Sequence, residues 1–257
     1  LFNYGIPIVG VMFLGDLLIT GNRYVLNYNG LYEFIGVYSI YMFVCTIAFQ
    51  VLTEPVVSYF HPILFKLYDE TKEKFEVIFS TMSVLLIMLA IYMSIHIIKY
   101  EDFIINLIAN DQYKYSDENF IIIVVLGGFF CSLYRIFSTL YYVEKNTHRL
   151  SILVAISLVV SLLLALLLVQ ELSLLGVAIA YALSQFLLAG YLIINCLCKI
   201  NFYLDTKMIL VFFATLLISI IFSKNFTFDV IYFSIFVDFF IGGLLALFLI
   251  NRLMIRS

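Results

Sequence analysis

Apolar residues along this chain run in long blocks divided by short polar breaks. Reading the blocks gives eight spans, 6–27, 34–60, 76–97, 119–142, 150–169, 174–196, 208–223 and 229–250. Most approach the roughly 20 residues a helix needs to cross a hydrocarbon core of about 30 Å, and the alternation of a barrel strand is absent. The pattern therefore predicts an all-α fold, a polytopic transmembrane helical bundle of about eight spans. The breaks, such as "NYNGLYE", "KLYDETKEKFE", "VEKNTHR" and "QELS", are too short to fold as soluble domains. The longest, 98–118, contains "FIINLIAN", which is expected to lie along the outer interface as an amphipathic turn or two.

Composition agrees with that reading. Of 257 residues, 64% are apolar and only 12% charged, with a mean hydropathy of +1.10, too few charges to cover the surface of a soluble domain. Lys and Arg gather in alternate breaks: Lys66, Lys72 and Lys74, then Lys145 and Arg149, then Lys199 and Lys207, then Arg252 and Arg256. The positive-inside rule places these in the cytoplasm, with both ends of the segment inside and 98–118 outside. Trp is absent, so Tyr24, Tyr28, Tyr38, Tyr41, Tyr141 and Tyr142 are expected to build the interfacial belts.

The net charge of −3 leaves no nucleic-acid footprint. Cys45, Cys131, Cys196 and Cys198 lack zinc or redox spacing and read as small hydrophobes. No metal site, cofactor or signal peptide is expected, and HExxH, G-x-S-x-G and phosphate-loop motifs are missing. Glu101 and Asp102 form an acidic pair that suits either a divalent ion or a solvated loop.

Charges inside the spans are the candidate chemistry, because an ionisable group at a helix centre costs about 2.5–3.5 kcal/mol unless it meets protein or water. On a straight helix Asp16 and Arg23 lie about 10.5 Å apart and about 20° short of two full turns, with Thr20 between them on the same face. Such a stripe suits a cavity-lining helix, whereas an arginine near a helix end also snorkels to headgroups. Gln50 and Glu54 share a face one turn apart. Pro55 removes a backbone donor and leaves the Val51 carbonyl without its usual partner. Arg135 can pair with Glu54 at similar depth or snorkel to lipid. Asp238 is the most isolated acid, suited to packing near Gly242 and Gly243 or to ion coupling.

"YGIPI", with Tyr4, Gly5 and Pro7, is followed by "GNRYVLNYNGLYEFIGVYSIYMF" and a late Pro55. This series resembles the seventh and eighth helices of the bacterial polysaccharide-export flippases. These are the O-antigen and capsule repeat-unit translocases of the superfamily that also holds multidrug extruders and the peptidoglycan-precursor flippase. "YRIFSTLYYVEKNTHRLSILVAISLVVSLLLALLL" and "LLGVAIAYALSQFLLAGYLI", with Gly176-x-Ala178-x-Ala180, resemble their tenth to twelfth helices. The likeness covers about residues 3–200. It departs at Asn22, where the family usually carries the acid of Asp-Arg-Tyr.

The resemblance implies that 1–200 is the second, six-helix lobe of a two-lobe MATE-like transporter and that 201–257 is a terminal two-helix hairpin. It also implies a matching N-terminal lobe as partner and a bacterial inner-membrane location. The implied function is alternating-access flipping of an undecaprenyl-pyrophosphate-linked oligosaccharide, without bond-making catalysis. The hypothetical cavity residues are Asp16, Thr20, Arg23, Gln50, Glu54 and Arg135, with Arg23 placed to meet the pyrophosphate. Asp16, Glu54 and Asp238 are the candidates for ion coupling. Two alternatives stay open, an integral-membrane polysaccharide polymerase or glycosyltransferase, and a MATE-type drug exporter. The 98–118 loop, with only Lys99 and Lys114 as bases, is small for the polymerase.

Overall fold

The computed structural model describes residues 2–109, 113–115, 117–204, 206, 209–214 and 216. Among the described residues the regular structure is helical: α1 (Phe2–Thr20), α2 (Asn22–Tyr28), α3 (Tyr32–Glu70), α4 (Lys72–Lys99), α5 (Glu101–Ile108), α6 (Glu118–Val143) and α7 (Thr147–Lys199). Four of these are long and apolar enough to cross a membrane, or five if the bent pair α1 and α2 counts as one span. A helical membrane bundle is the architecture. The spans expected at 208–223 and 229–250 lie mostly or wholly outside the described residues.

The chain divides into two compact units, one built from 1–61 and 93–199, the other from 62–92 and 200–257. In the first, α6 and α1 both pack along α7, and α2 packs on α7 as well. The expected span 6–27 is not one straight helix: α1 and α2 meet at 42° across Gly21.

α7 is 53 residues long, yet it is not a rod. Ser173 has φ 49° and ψ −123°, outside the helical region. The Ser157 hydroxyl donates to the Ser184 carbonyl at 3.1 Å, although on a straight helix those residues would be roughly 40 Å apart. The chain therefore doubles back, and the arms 147–172 and 174–199, each roughly 39 Å long, take the places of the expected spans 150–169 and 174–196. The short polar break "QELS" is absorbed into helix up to the bend.

Gly176 makes this reversal close. A Cβ there would sit 2.4 Å from the Leu168 carbonyl oxygen and 2.6 Å from its carbon, a backbone clash that no side-chain rotation relieves. Gly176→Ala is accordingly expected to lower stability by about 1–3 kcal/mol, the usual range for overpacking. Thermal unfolding in mild detergent checks this; an unchanged midpoint would mean the arms are not held this tightly.

α6 closes with a Schellman motif. Asn146 N–H donates to the Tyr141 carbonyl at 2.9 Å and Lys145 N–H to that of Tyr142 at 3.0 Å. Lys145 occupies the left-handed position with φ 57°. Midway along α6, the pair Gly127–Gly128 lets aromatic rings approach from two sides. A Cβ on Gly127 would lie 2.6 Å from the Tyr181 ring of α7, and one on Gly128 would lie 2.7 Å from the Phe49 ring of α3.

In the second unit, the polar break "KLYDETKEKFE" was expected to be a loop. It is instead helical on both sides of Thr71. The exposed Lys66 and Glu70 lie 4.0 Å apart at the i, i+4 spacing that supports a solvated helix, whereas the Glu76 carboxylate, 3.9 Å from Lys72, is buried. Phe75 and Phe79 are buried here with ring centroids 5.7 Å apart, and the exposed Tyr68 packs edge-on against Phe75 at 5.1 Å.

Candidate functional site

Among the described residues of the first unit, the candidate side chains fall in two clusters within the helices and one in the expected outer loop. The first is at the α1–α2 break. Thr20 Oγ1 donates to the Asp16 backbone carbonyl at 2.8 Å, while the Asp16 side chain is exposed. The break at Gly21 lies between Thr20 and Arg23, so the single polar face drawn for a straight helix covers only Asp16 and Thr20. The turn brings Asn22 inward instead. Its Nδ2 donates to the Tyr38 hydroxyl at 3.3 Å and to Ser161 Oγ at 3.4 Å, and Ser161 Oγ donates back to Oδ1 at 3.5 Å. All three residues are buried. A primary amide both donates and accepts here, which a carboxylate could not do while ionised.

Arg23 follows directly. It is half-buried, and its Nε is enclosed without a hydrogen-bond partner. An enclosed guanidinium N–H that makes no bond carries a desolvation cost that an acceptor would offset. Sequence reasoning singled out Arg23 but not the Asn22–Tyr38–Ser161 cluster beside it, because those residues are far apart in the chain.

The second cluster joins α3 and α6. Arg135 Nη1 donates to Glu54 Oε1, so the pairing anticipated from their depth is present. Arg135 also lines a small, open recess with Gln50, Thr46, Phe49, Gly128, Cys131, Ser132 and Tyr181. Gln50, Glu54 and Arg135 thus form one neighbourhood. α3 runs as helix through Pro55. Asp238 lies outside the described residues.

The third set of polar groups divides the acidic pair of 98–118. Glu101 Oε1 accepts from the Tyr41 hydroxyl at 2.8 Å, Tyr115 N–H donates to that same hydroxyl at 3.3 Å, and Asp102 pairs with Lys114. The Phe120 ring stacks edge-on against Tyr41 and Tyr115, at 4.9 Å and 5.0 Å. Partial burial, then nearby Asp117, raises the Tyr115 hydroxyl pKa above its ordinary value. The two carboxylates serve separate partners, an arrangement that anchors the loop to α3 and α6. The short apolar stretch is the helix α5, with Ile105 buried and Leu107 exposed.

In the second unit, Glu76 was read only as the edge of a span. It is buried, and its Oε2 accepts from Asn201 Nδ2 at 3.2 Å. The helical spacing of Phe75, Phe79 and Met82, all buried, already carried the signal that α4 begins before residue 76.

The chain matches no protein-family model, no curated protein and no solved structure.

Proposed function

We propose that this chain is the second lobe of an alternating-access flippase that moves a polyprenyl-pyrophosphate-linked oligosaccharide across a bacterial inner membrane. The observation that carries the reading is Arg23. It stands at a helix break inside an apolar bundle with Nε enclosed and unbonded, and a guanidinium is suited to a doubly charged pyrophosphate through bidentate hydrogen bonds. Broken spans that turn polar groups toward a substrate are a recurrent device of secondary transporters.

The ordered series of motifs over about residues 3–200 supports the family assignment, with six helical passes if α7 contributes two. On this reading 201–257 adds two more spans, giving eight, and an N-terminal lobe completes the cavity. The basic breaks put both ends of the segment in the cytoplasm. Gln50, Glu54 and Arg135 provide a second polar locus on the same lobe.

The test is complementation. Expression of the complete protein in a strain lacking its repeat-unit flippase should restore surface polysaccharide. Failure to restore it with a donor strain of matching repeat-unit chemistry, at normal membrane abundance, would reject the proposed substrate class.

A further inference from the structure

We infer that the α7 hairpin carries a binding site for one anionic phospholipid, with its phosphodiester at Arg149 and its acyl chains along the two arms. This inference needs the chain to sit in a bilayer but is independent of what the chain transports.

The argument begins with the hairpin register. The Ser157–Ser184 hydrogen bond, at 3.1 Å, fixes the antiparallel pairing of the arms. Arg149 lies two turns before Ser157 and Tyr191 two turns after Ser184, so both fall at the same end. There Arg149 Nη2 donates to the Tyr191 hydroxyl at 2.5 Å, and the guanidinium carbon lies 5.9 Å from the ring centroid. The tyrosine thus holds the guanidinium against the second arm, in a defined place.

That partner is neutral, and the nearest acid in sequence is already committed. Glu144 takes Lys199 Nζ with both oxygens, at 2.8 Å and 2.6 Å, while Lys199 also lies over the Tyr141 ring at 5.8 Å. Lys145 and His148 are exposed on the adjoining turn and add no negative charge. Among the described residues, the Arg149 charge therefore has no anionic partner.

Below this basic end, each arm presents an exposed aliphatic stripe in helical register with the polar head. Ile152 and Ile156 follow Arg149 at i+3 and i+7 on the first arm; Leu187 and Leu183 precede Tyr191 at i−4 and i−8 on the second. A cation held over paired aliphatic stripes has the shape and charge order of a two-chain anionic lipid, and basic sites between helices at the inner interface take such headgroups. A tyrosine at the level of the headgroup completes the arrangement.

The test uses the full chain purified in detergent and exposed to equal phosphatidylglycerol and phosphatidylcholine, with bound lipid counted by native mass spectrometry. No polyprenyl lipid is present, so the outcome is separate from the transport reading. The wild-type chain should retain phosphatidylglycerol preferentially. Arg149→Ala should cut that preference about fivefold, the factor that corresponds to roughly 1 kcal/mol per basic residue near a lipid surface. Tyr191→Phe, which keeps the ring and loses the steering hydroxyl, should fall between the two. Lys66→Ala, a basic change elsewhere, should leave the preference intact. Equal retention of the two lipids by the wild type would overturn the inference, as would an Arg149→Ala chain with undiminished preference or a loss with Lys66→Ala as large as with Arg149→Ala. Should Arg149→Ala lower the unfolding midpoint, Tyr191→Phe alone decides, and an unchanged preference there contradicts the site.

Discussion

Replacing Arg23 with alanine should abolish polysaccharide export while leaving the protein in the membrane at its normal level. The guanidinium contributes no hydrogen bond at Nε to the packed structure, so the bundle loses little when it is removed. What is lost on the proposed mechanism is the group that meets the pyrophosphate. Arg23→Lys should recover only part of export, because an ammonium retains the charge but not the planar pair of donors. If Arg23 were merely an interfacial anchor, lysine would serve almost as well and alanine would have a mild effect. Surface polysaccharide at matched protein abundance distinguishes the cases, and robust export by the alanine variant removes Arg23 from the mechanism.

Asn22 predicts a complementary behaviour. Its amide is shared between Tyr38 of α3 and Ser161 of α7, so it fixes the direction in which Arg23 leaves the break. A carboxylate at this position would turn a donor and acceptor into an acceptor alone, in a place where Tyr38 and Ser161 are both buried.

The second large effect concerns Glu54 and Arg135, and it should be asymmetric. Arg135 keeps 25% of its side chain accessible and Glu54 52%, so the arginine is the costlier of the two to leave alone. Glu54→Gln strands that arginine and should lower stability by about 1 kcal/mol, the upper end for a pair with one half-exposed, solvent-screened partner. Arg135→Gln leaves a half-exposed carboxylate and should cost less. The exchanged pair, Glu54→Arg with Arg135→Glu, should recover at least half of the loss. Thermal unfolding of the four proteins in mild detergent measures this. No recovery in the exchanged pair would show that the two charges do not stabilise one another.

The long apolar blocks made the helices legible, and helix depth alone brought Glu54 and Arg135 together. The bend at Ser173 falls in the polar break "QELS" between two expected spans and was legible. The break at Gly21 was not, and periodicity extrapolated across it places Arg23 on a face that the real chain leaves. The charged stretch around Thr71 looked like a loop because polarity suggests water, but i, i+4 ion pairs allow a helix to continue into water. The roles of Gly127 and Gly128 depend on which ring arrives from a distant part of the chain, information that no local window contains. Asn22, Tyr38 and Ser161 meet for the same reason, across sequence separations of 16 and 139 residues.

The central claim is transport of a lipid-linked oligosaccharide, and it is tested most directly in vesicles. The complete protein would be reconstituted with a polyprenyl-pyrophosphate oligosaccharide, and the fraction of sugar protected from a membrane-impermeant lectin followed over time. The account predicts that the protected pool becomes accessible in vesicles containing the wild-type protein and stays protected with Arg23→Ala. Wild-type vesicles indistinguishable from protein-free ones would contradict it.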